Sequence, residues 1–157
     1  MIFRKTLKIR LSTVVISSAL CIFSVMSTAK TKNFNAYPGT YSAKFVSVNK
    51  ANSIYLMVAV WDGFPKKIRV TIPGVRVPVI HSKSKSCEIE LANKAVLYAK
   101  EFFATVQSIK VSDIQMERTD MIDGVASIST ELGSLSSKLI QNGFARSSSV
   151  ADSVPWC

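Results

Sequence analysis

The chain has 157 residues, of which 48% are hydrophobic and 19% are charged. These proportions fit one compact domain and exclude a disordered protein or a multi-domain machine. Its 20 Lys and Arg residues exceed its 10 Asp and Glu residues, which gives a formal charge of +10 and favours polyanionic partners. The single histidine, His81, excludes a multi-histidine metal site and any mechanism that needs a histidine pair.

The first 29 residues are typical of an export signal. Four basic residues lie within the first ten positions, an uncharged stretch follows over residues 11–29, and small side chains end it. We predict a signal peptide over residues 1–29 and an exported mature chain, periplasmic or secreted, that carries a formal charge of +6 and has no membrane contact after cleavage. The alternative is an inner-membrane anchor formed by residues 11–29, because 19 uncharged residues are just long enough to span a bilayer.

Two cysteines, Cys87 and Cys157, remain after cleavage, and export would place them in an oxidising compartment. Two thiols in an oxidising compartment have one possible pairing, so we predict a disulfide between them. A zinc site is not indicated, because two cysteines and His81 do not reproduce a zinc-ligand spacing.

The mature chain begins with a predicted linker and continues with a predicted β-meander. Residues 30–40 are polar and contain Pro38 and Gly39, which predicts a linker with a turn, so that the folded domain covers residues 41–157. Asp62 and Gly63 are typical of a hairpin turn. Residues 41–48 place Phe45 and Val46 among small polar residues, residues 54–61 are an apolar run, and residues 67–72 alternate polar with apolar. These patterns predict three antiparallel strands over the three ranges.

The second half of the chain predicts two helices and two further strands. Apolar residues recur every three or four positions over residues 88–106, which predicts an amphipathic helix. Strands follow over residues 109–116 and 122–130, and a last helix over residues 132–142 ends before Gly143, a favourable residue after a helix. The order β-β-β-α-β-β-α predicts an α+β fold built on a five-stranded OB-type barrel.

Six short motifs occur in order along nearly the whole mature chain. They are Val60-Trp-Asp-Gly, Arg69-Val-Thr-Ile-Pro-Gly-Val75 followed by Pro78, the cysteine before the long helix, Arg118-Thr-Asp120, Gln141-Asn-Gly-Phe-Ala145 and Pro155-Trp-Cys157. In these motifs the chain resembles the staphylococcal-type thermonuclease family. The resemblance implies a thermonuclease-like OB barrel and, in the family, calcium-assisted cleavage of a phosphodiester. Such cleavage needs oxygen ligands for the cation, a base for the attacking water, and arginines for the phosphate charge.

Most of the family's catalytic set is replaced in this sequence. Arg69 matches the first catalytic arginine. Asn52 stands at one metal carboxylate, Arg76 stands at the other, and Val79 stands at the general base. Asp123 stands where the family's second arginine is expected. We therefore predict that the calcium site is lost and that the protein has no cofactor.

These replacements decide between two functions. An arginine repels a nearby Ca²⁺, and a valine has no lone pair to accept a proton. We predict a catalytically degenerate nuclease homologue that binds nucleic acid, another polyanion or a protein partner through the old active-site face. The alternative is an active, metal-dependent phosphodiesterase that cleaves DNA or RNA with a rearranged site.

Six cations are the candidate nucleic-acid contacts. They lie within twenty residues, and no acid occurs between Asp62 and Glu88. In an OB-type barrel this region borders the ligand groove, and the alternative is an ordinary solvated basic face. The six are Lys66, Lys67, Arg69, Arg76, Lys83 and Lys85.

Three carboxylates cluster farther along the chain, at Glu117, Asp120 and Asp123. They suggest either a replacement cation site or a solvated acidic turn. The turn is favoured, because hard cations need six or more oxygen ligands and no other acid lies close by in the sequence.

Overall fold

A computed structural model describes residues 34–151 and 154–157 and has an α+β fold. The strands are β1 (Phe34–Lys50), β2 (Ser53–Trp61), β3 (Phe64–Thr71), β4 (Val75–Arg76), β5 (Ile109–Met116), β6 (Asp123–Thr130), β7 (Gly133–Ser134) and β8 (Arg146–Ser147), and the helices are α1 (Ser86–Thr105) and α2 (Leu135–Gln141). The predicted signal peptide or anchor over residues 1–29 lies outside the described residues. Within the described part of the chain, neither helix has the length and apolar character to cross a membrane.

Five strands form a closed ring of hydrogen bonds. Antiparallel pairs join β3 to β2, β2 to β1, β1 to β5, and β5 to β6, and a short parallel pairing of β3 with β6 closes the ring. The predicted order of five strands and two helices is thus confirmed, with three additional two-residue strands. Register shifts interrupt both pairings of β1, so the ring is not a clean barrel.

The hydrophobic core fills the ring and the space beneath α1. Alternate residues of each central strand are buried, as the two-residue period of a strand requires. Helix α1 packs against this core through Ala95, Ala99, Phe102 and Phe103. The ring of Phe103 stacks on that of Phe45 in β1, with centroids 5.0 Å apart. Fully buried side chains of the strands include Ile54, Leu56, Val58, Ile68, Val70, Val111, Ile114 and Met116.

Strand β1 begins at Phe34, so residues 34–40 are strand and not the linker that the sequence predicts. Pro38 and Gly39 lie inside this strand, where the pairing with β5 shifts register. Proline has no N–H for the ladder, and Gly39 adopts φ 97° and donates its N–H to Asp113 Oδ1 at 3.2 Å. The predicted turn is therefore an irregularity within a long strand, because β5 supplies hydrogen-bond partners on both sides of it.

The two helices begin two or three residues away from their predicted starts. Helix α1 begins at Ser86, two residues before the predicted start, and the Glu88 carboxylate accepts a hydrogen bond from the Lys85 N–H at 3.0 Å. Helix α2 begins only at Leu135, because the preceding residues pair with β6 as strand β7. Gly143 follows its end with φ 73°, as predicted.

A strand pairing and a disulfide hold the C-terminal tail to the rest of the domain. Strand β8 pairs with β4, so that Val75 lies opposite Ser147. A disulfide joins Cys157 to Cys87 in the first turn of α1, with Cα atoms 6.4 Å apart, and it confirms the predicted pairing.

Candidate functional site

One open cavity, of about 800 Å³, lies beside the parallel pairing of β3 with β6. Its walls come from the turn between β1 and β2, from β3, from β4 and the loop after it, from the β5–β6 region, and from the C-terminal tail. All five positions to which the thermonuclease resemblance assigns a role line this cavity. They are Asn52, Arg69, Arg76, Val79 and Asp123.

Asn52 is part of the frame of the cavity. It lies in the turn between β1 and β2, and its Nδ2 donates a hydrogen bond to the carbonyl oxygen of Val75 at 3.3 Å. Its own carbonyl oxygen accepts from the N–H of Ile72 at 2.9 Å. A neutral amide thus connects the turn to the region around β4.

Arg69 points to the cavity because its neighbours Ile68 and Val70 fill the core on the other face of β3. Its Nε donates to Asp123, and its Nη1 lies 3.4 Å from the hydroxyl of Tyr55. The hydrogen bond to Asp123, and then the one to Tyr55, raise the pKa of Arg69 above its ordinary value. The guanidinium is therefore charged and held in place at the cavity wall.

Arg76 and Val79 line the wall formed by β4 and the loop that follows it. Arg76 Nη1 donates to the backbone carbonyl of Val150, which connects this wall to the C-terminal tail. Val79 is 46% exposed. Its side chain presents only methyl groups at the position to which the resemblance assigns a general base, and methyl groups cannot accept a proton.

The tail contributes Trp156, which sequence reasoning did not identify as a site residue. Its half-buried side chain lines the cavity. The guanidinium carbon of Arg146 lies 4.3 Å from the centre of the Trp156 ring system. Arg146 also donates to the carbonyl oxygens of Val154, at 3.1 Å, and Pro155, at 2.9 Å. The signal in the sequence is the position of Trp156 directly before a paired cysteine.

Cationic side chains outnumber carboxylates among the described residues that line the cavity. The cations are Lys50, Arg69 and Arg76, and the carboxylates are Glu117 and Asp123. Asp123 accepts its hydrogen bond from Arg69, so this carboxylate is already engaged by one of the cations.

Lys67 extends the basic character of the site along β3. Its Nζ lies 5.2 Å from the centre of the Tyr55 ring, and the guanidinium carbon of Arg69 lies 5.9 Å from the same centre. Lys67 and Arg69 are two positions apart in β3 and thus lie on one face of the strand. Together they make a basic edge next to the cavity.

The other three predicted cations do not line the cavity. Lys66 donates to the backbone carbonyl of Thr119, and its Nζ lies 5.6 Å from the centre of the Tyr37 ring. Lys83 and Lys85 are exposed in the segment before α1. Of the six predicted contacts, Arg69 and Arg76 therefore line the cavity, Lys67 lies beside Arg69 on the same face of β3, and the other three lie elsewhere.

The three clustered carboxylates have different environments. Asp120 is paired with Arg118, whose hydrogen bond lowers the pKa of this carboxyl group. Asp123 is paired with Arg69, and Glu117 lines the cavity. Over residues 34–151 and 154–157, no three His, Cys, Asp or Glu side chains form a group that could hold a metal ion.

No protein-family model matches the chain, and no curated protein matches it as a relative. The resemblance to the thermonucleases therefore rests on the six short sequence motifs.

Proposed function

We propose that this is an exported protein with a thermonuclease-like OB-type ring, whose cavity binds a polyanion, with nucleic acid as the first candidate, and does not cleave it by the calcium-dependent mechanism. One observation carries the proposal. Asn52, Arg69, Arg76 and Val79, which occupy the family's metal, base and phosphate positions, line the same open cavity. Their proximity supports the family fold, and their chemistry supports the loss of its reaction.

The cavity is unsuited to a calcium ion. Ca²⁺ takes six to eight oxygen ligands, mostly from carboxylates and carbonyls. Of the two carboxylate positions of the family, one is an amide that donates to Val75 and the other is Arg76, whose positive charge opposes a cation. Asp123 is engaged by Arg69, so an ion would have to compete with a guanidinium for that carboxylate.

Hydrolysis also lacks a proton acceptor at the family position. A general base contributes about 10²- to 10⁴-fold to such a reaction. Val79 provides no such group, and Asp123 replaces the arginine that would stabilise the growing charge on the phosphate. The loss of base, metal ligands and one arginine together supports binding without catalysis.

Anion binding needs only the groups that remain. A guanidinium has five N–H donors, so Arg69 retains donors for a phosphate beyond those that contact Asp123 and Tyr55. Lys50 lines the same cavity, and Lys67 continues the basic edge along β3. Contacts of this kind to phosphates are salt-dependent and give dissociation constants on the order of 10⁻⁴ to 10⁻⁶ M at physiological salt.

The disulfide supports export. Cys87 and Cys157 are both exposed, and exposed disulfides persist in oxidising compartments such as the periplasm or the extracellular space.

Binding is tested with purified protein and fluorescently labelled DNA and RNA, by fluorescence anisotropy at several salt concentrations. The double variant Lys50→Gln, Lys67→Gln should bind more weakly than the wild type, with a slope of log affinity against log salt that is smaller by about one to two. The matched control is Lys100→Gln, Lys138→Gln, which removes the same charge from the two helices. Equal losses in both double variants, or no binding by the wild type at low salt, would contradict the proposal.

Cleavage is tested on the same nucleic acids with Ca²⁺, Mg²⁺, Mn²⁺ or a chelator. We expect no divalent-dependent degradation beyond that of a mock purification, because the family's base and metal positions are Val79, Asn52 and Arg76. Divalent-dependent degradation that disappears in Arg69→Ala would identify an active phosphodiesterase instead.

A further inference from the structure

Among the described residues that line the cavity, Trp156 is the one with an aromatic side chain. It lines the cavity together with Arg69 and Arg76. The second tryptophan of the described residues, Trp61, lies at the end of β2, is 65% exposed and does not line the cavity. The two tryptophans therefore give a matched pair, one inside the candidate site and one outside it.

Trp156 is fixed in the wall before any ligand binds. The next residue, Cys157, is joined covalently to the start of α1. Arg146 lies against the ring system and donates to the backbone on the N-terminal side of Trp156, at Val154 and Pro155. A ring held in this way loses little conformational entropy when a second flat group packs against it.

An aromatic ring beside phosphate-binding cations is the combination that single-stranded nucleic acids require. Their backbone contacts positive charges, and their unpaired bases stack on aromatic side chains. In a duplex, each base is already stacked between its neighbours along the strand. A tryptophan in the wall therefore has a partner in a single strand and none in an intact duplex.

We infer that Trp156 stacks on a base and that the cavity selects single-stranded nucleic acid over duplex, an inference that rests on the proposed function. The phosphate contacts provide binding to either form. Trp156 provides the difference between them. Alanine substitution of a stacking aromatic typically weakens binding to a single strand by about tenfold.

The test compares the variants Trp156→Ala, Trp156→Phe and Trp61→Ala with the wild type. Each is titrated with a labelled single strand of 20 nucleotides and with the duplex of the same sequence. Trp156→Ala should lower the affinity for the single strand about tenfold and leave the affinity for the duplex unchanged. Trp156→Phe should retain most of the affinity for the single strand, and Trp61→Ala should behave as the wild type.

A spectroscopic readout covers the case in which Trp156→Ala does not fold. In the variant Trp61→Phe, the emission of Trp156 is observed alone, and single-stranded DNA should quench it while duplex should not. Absence of quenching would overturn the inference, as would equal affinities of the wild type for the two forms or an equal effect of Trp61→Ala. If the wild type binds nucleic acid in the titrations, each of these results overturns only the role of Trp156 and the proposed function stands. If the wild type binds neither form, the proposed function itself fails.

Discussion

Asp123 sets the charge that a ligand meets beside Arg69. Its carboxylate accepts a hydrogen bond from Arg69 Nε, and the two side chains are 52% and 33% exposed. An ion pair this exposed contributes little to stability, because water screens it. Its main effect is on the cavity, where a carboxylate stands at the position to which the thermonuclease resemblance assigns an arginine.

Replacement of this carboxylate should therefore strengthen anion binding. We expect Asp123→Asn to raise the affinity for single-stranded nucleic acid roughly fivefold, which corresponds to about 1 kcal/mol, the interaction of two unit charges about 4 Å apart in water. The control Asp120→Asn removes a carboxylate from the same region that is paired with Arg118 and does not line the cavity. Anisotropy titrations at low salt measure both. An unchanged or weaker affinity of Asp123→Asn would mean that Arg69 is not a ligand contact.

The elements that the sequence predicts well are those with a strict local pattern. The predicted strand over residues 109–116 coincides with β5, and α1 is predicted to within two residues at its start, because alternation and helical periodicity reflect contacts with a single core. The start of β1 is missed, since residues 34–40 are strand only because β5 pairs with them. Strands β4 and β8 are missed for the same reason, because each has two residues and pairs with the other.

The candidate site, like the fold, is predictable from the sequence only where local residues determine it. The resemblance assigns roles to Asn52, Arg69, Arg76 and Val79 one position at a time, but their common cavity depends on the ring of strands and on the β4–β8 pairing. Trp156 lies in the cavity wall because its neighbour Cys157 is bonded to Cys87. A periodic pattern of local residues does not predict such a contact.

Glu131 connects two turns at one end of the ring. It follows β6, and its carboxylate accepts hydrogen bonds from the backbone N–H groups of Gln107 and Ser108 and from the Ser108 hydroxyl, in the segment between α1 and β5. These hydrogen bonds lower the pKa of Glu131 from 4.5 to about 2, and the bond from the Gln107 N–H has the largest effect.

The low pKa predicts a specific dependence of stability on pH. Between pH 4.5 and about 2 the unfolded chain binds more protons at Glu131 than the folded chain does, so its stabilising contribution is present above pH 4.5 and is lost as the pH falls to about 2. Glu131→Gln should therefore lower the free energy of unfolding at pH 7 and have a smaller effect at pH 2. Urea unfolding at the two pH values measures this. The control Glu101→Gln, at an exposed position of α1, should not change the pH dependence, and an equal effect of the two variants would contradict the assignment.

The Cys87–Cys157 disulfide connects the fold of the whole domain to its cavity. Its ends are 70 positions apart, and the segment between them contains α1, β5, β6, β7, α2 and β8. It also holds the end of the tail, so that the domain's stability and the position of Trp156 depend on the same bond.

Removal of the bond should therefore have two effects that are measured on the same sample. In the double variant Cys87→Ser, Cys157→Ser, the free energy of unfolding should fall by about 4 kcal/mol, the chain-entropy value for a loop of this length. Affinity for single-stranded nucleic acid should fall toward that of Trp156→Ala, because the tail then loses the covalent bond next to Trp156 and keeps only non-covalent contacts, among them those of Arg146 and the β4–β8 pairing. A reducing agent should produce both effects in the wild type and neither in the double variant, which makes that variant the control. Loss of stability without loss of affinity would separate Trp156 from the bond. Free thiols at Cys87 and Cys157 in the exported protein, detected by mass spectrometry under non-reducing conditions, would contradict the disulfide.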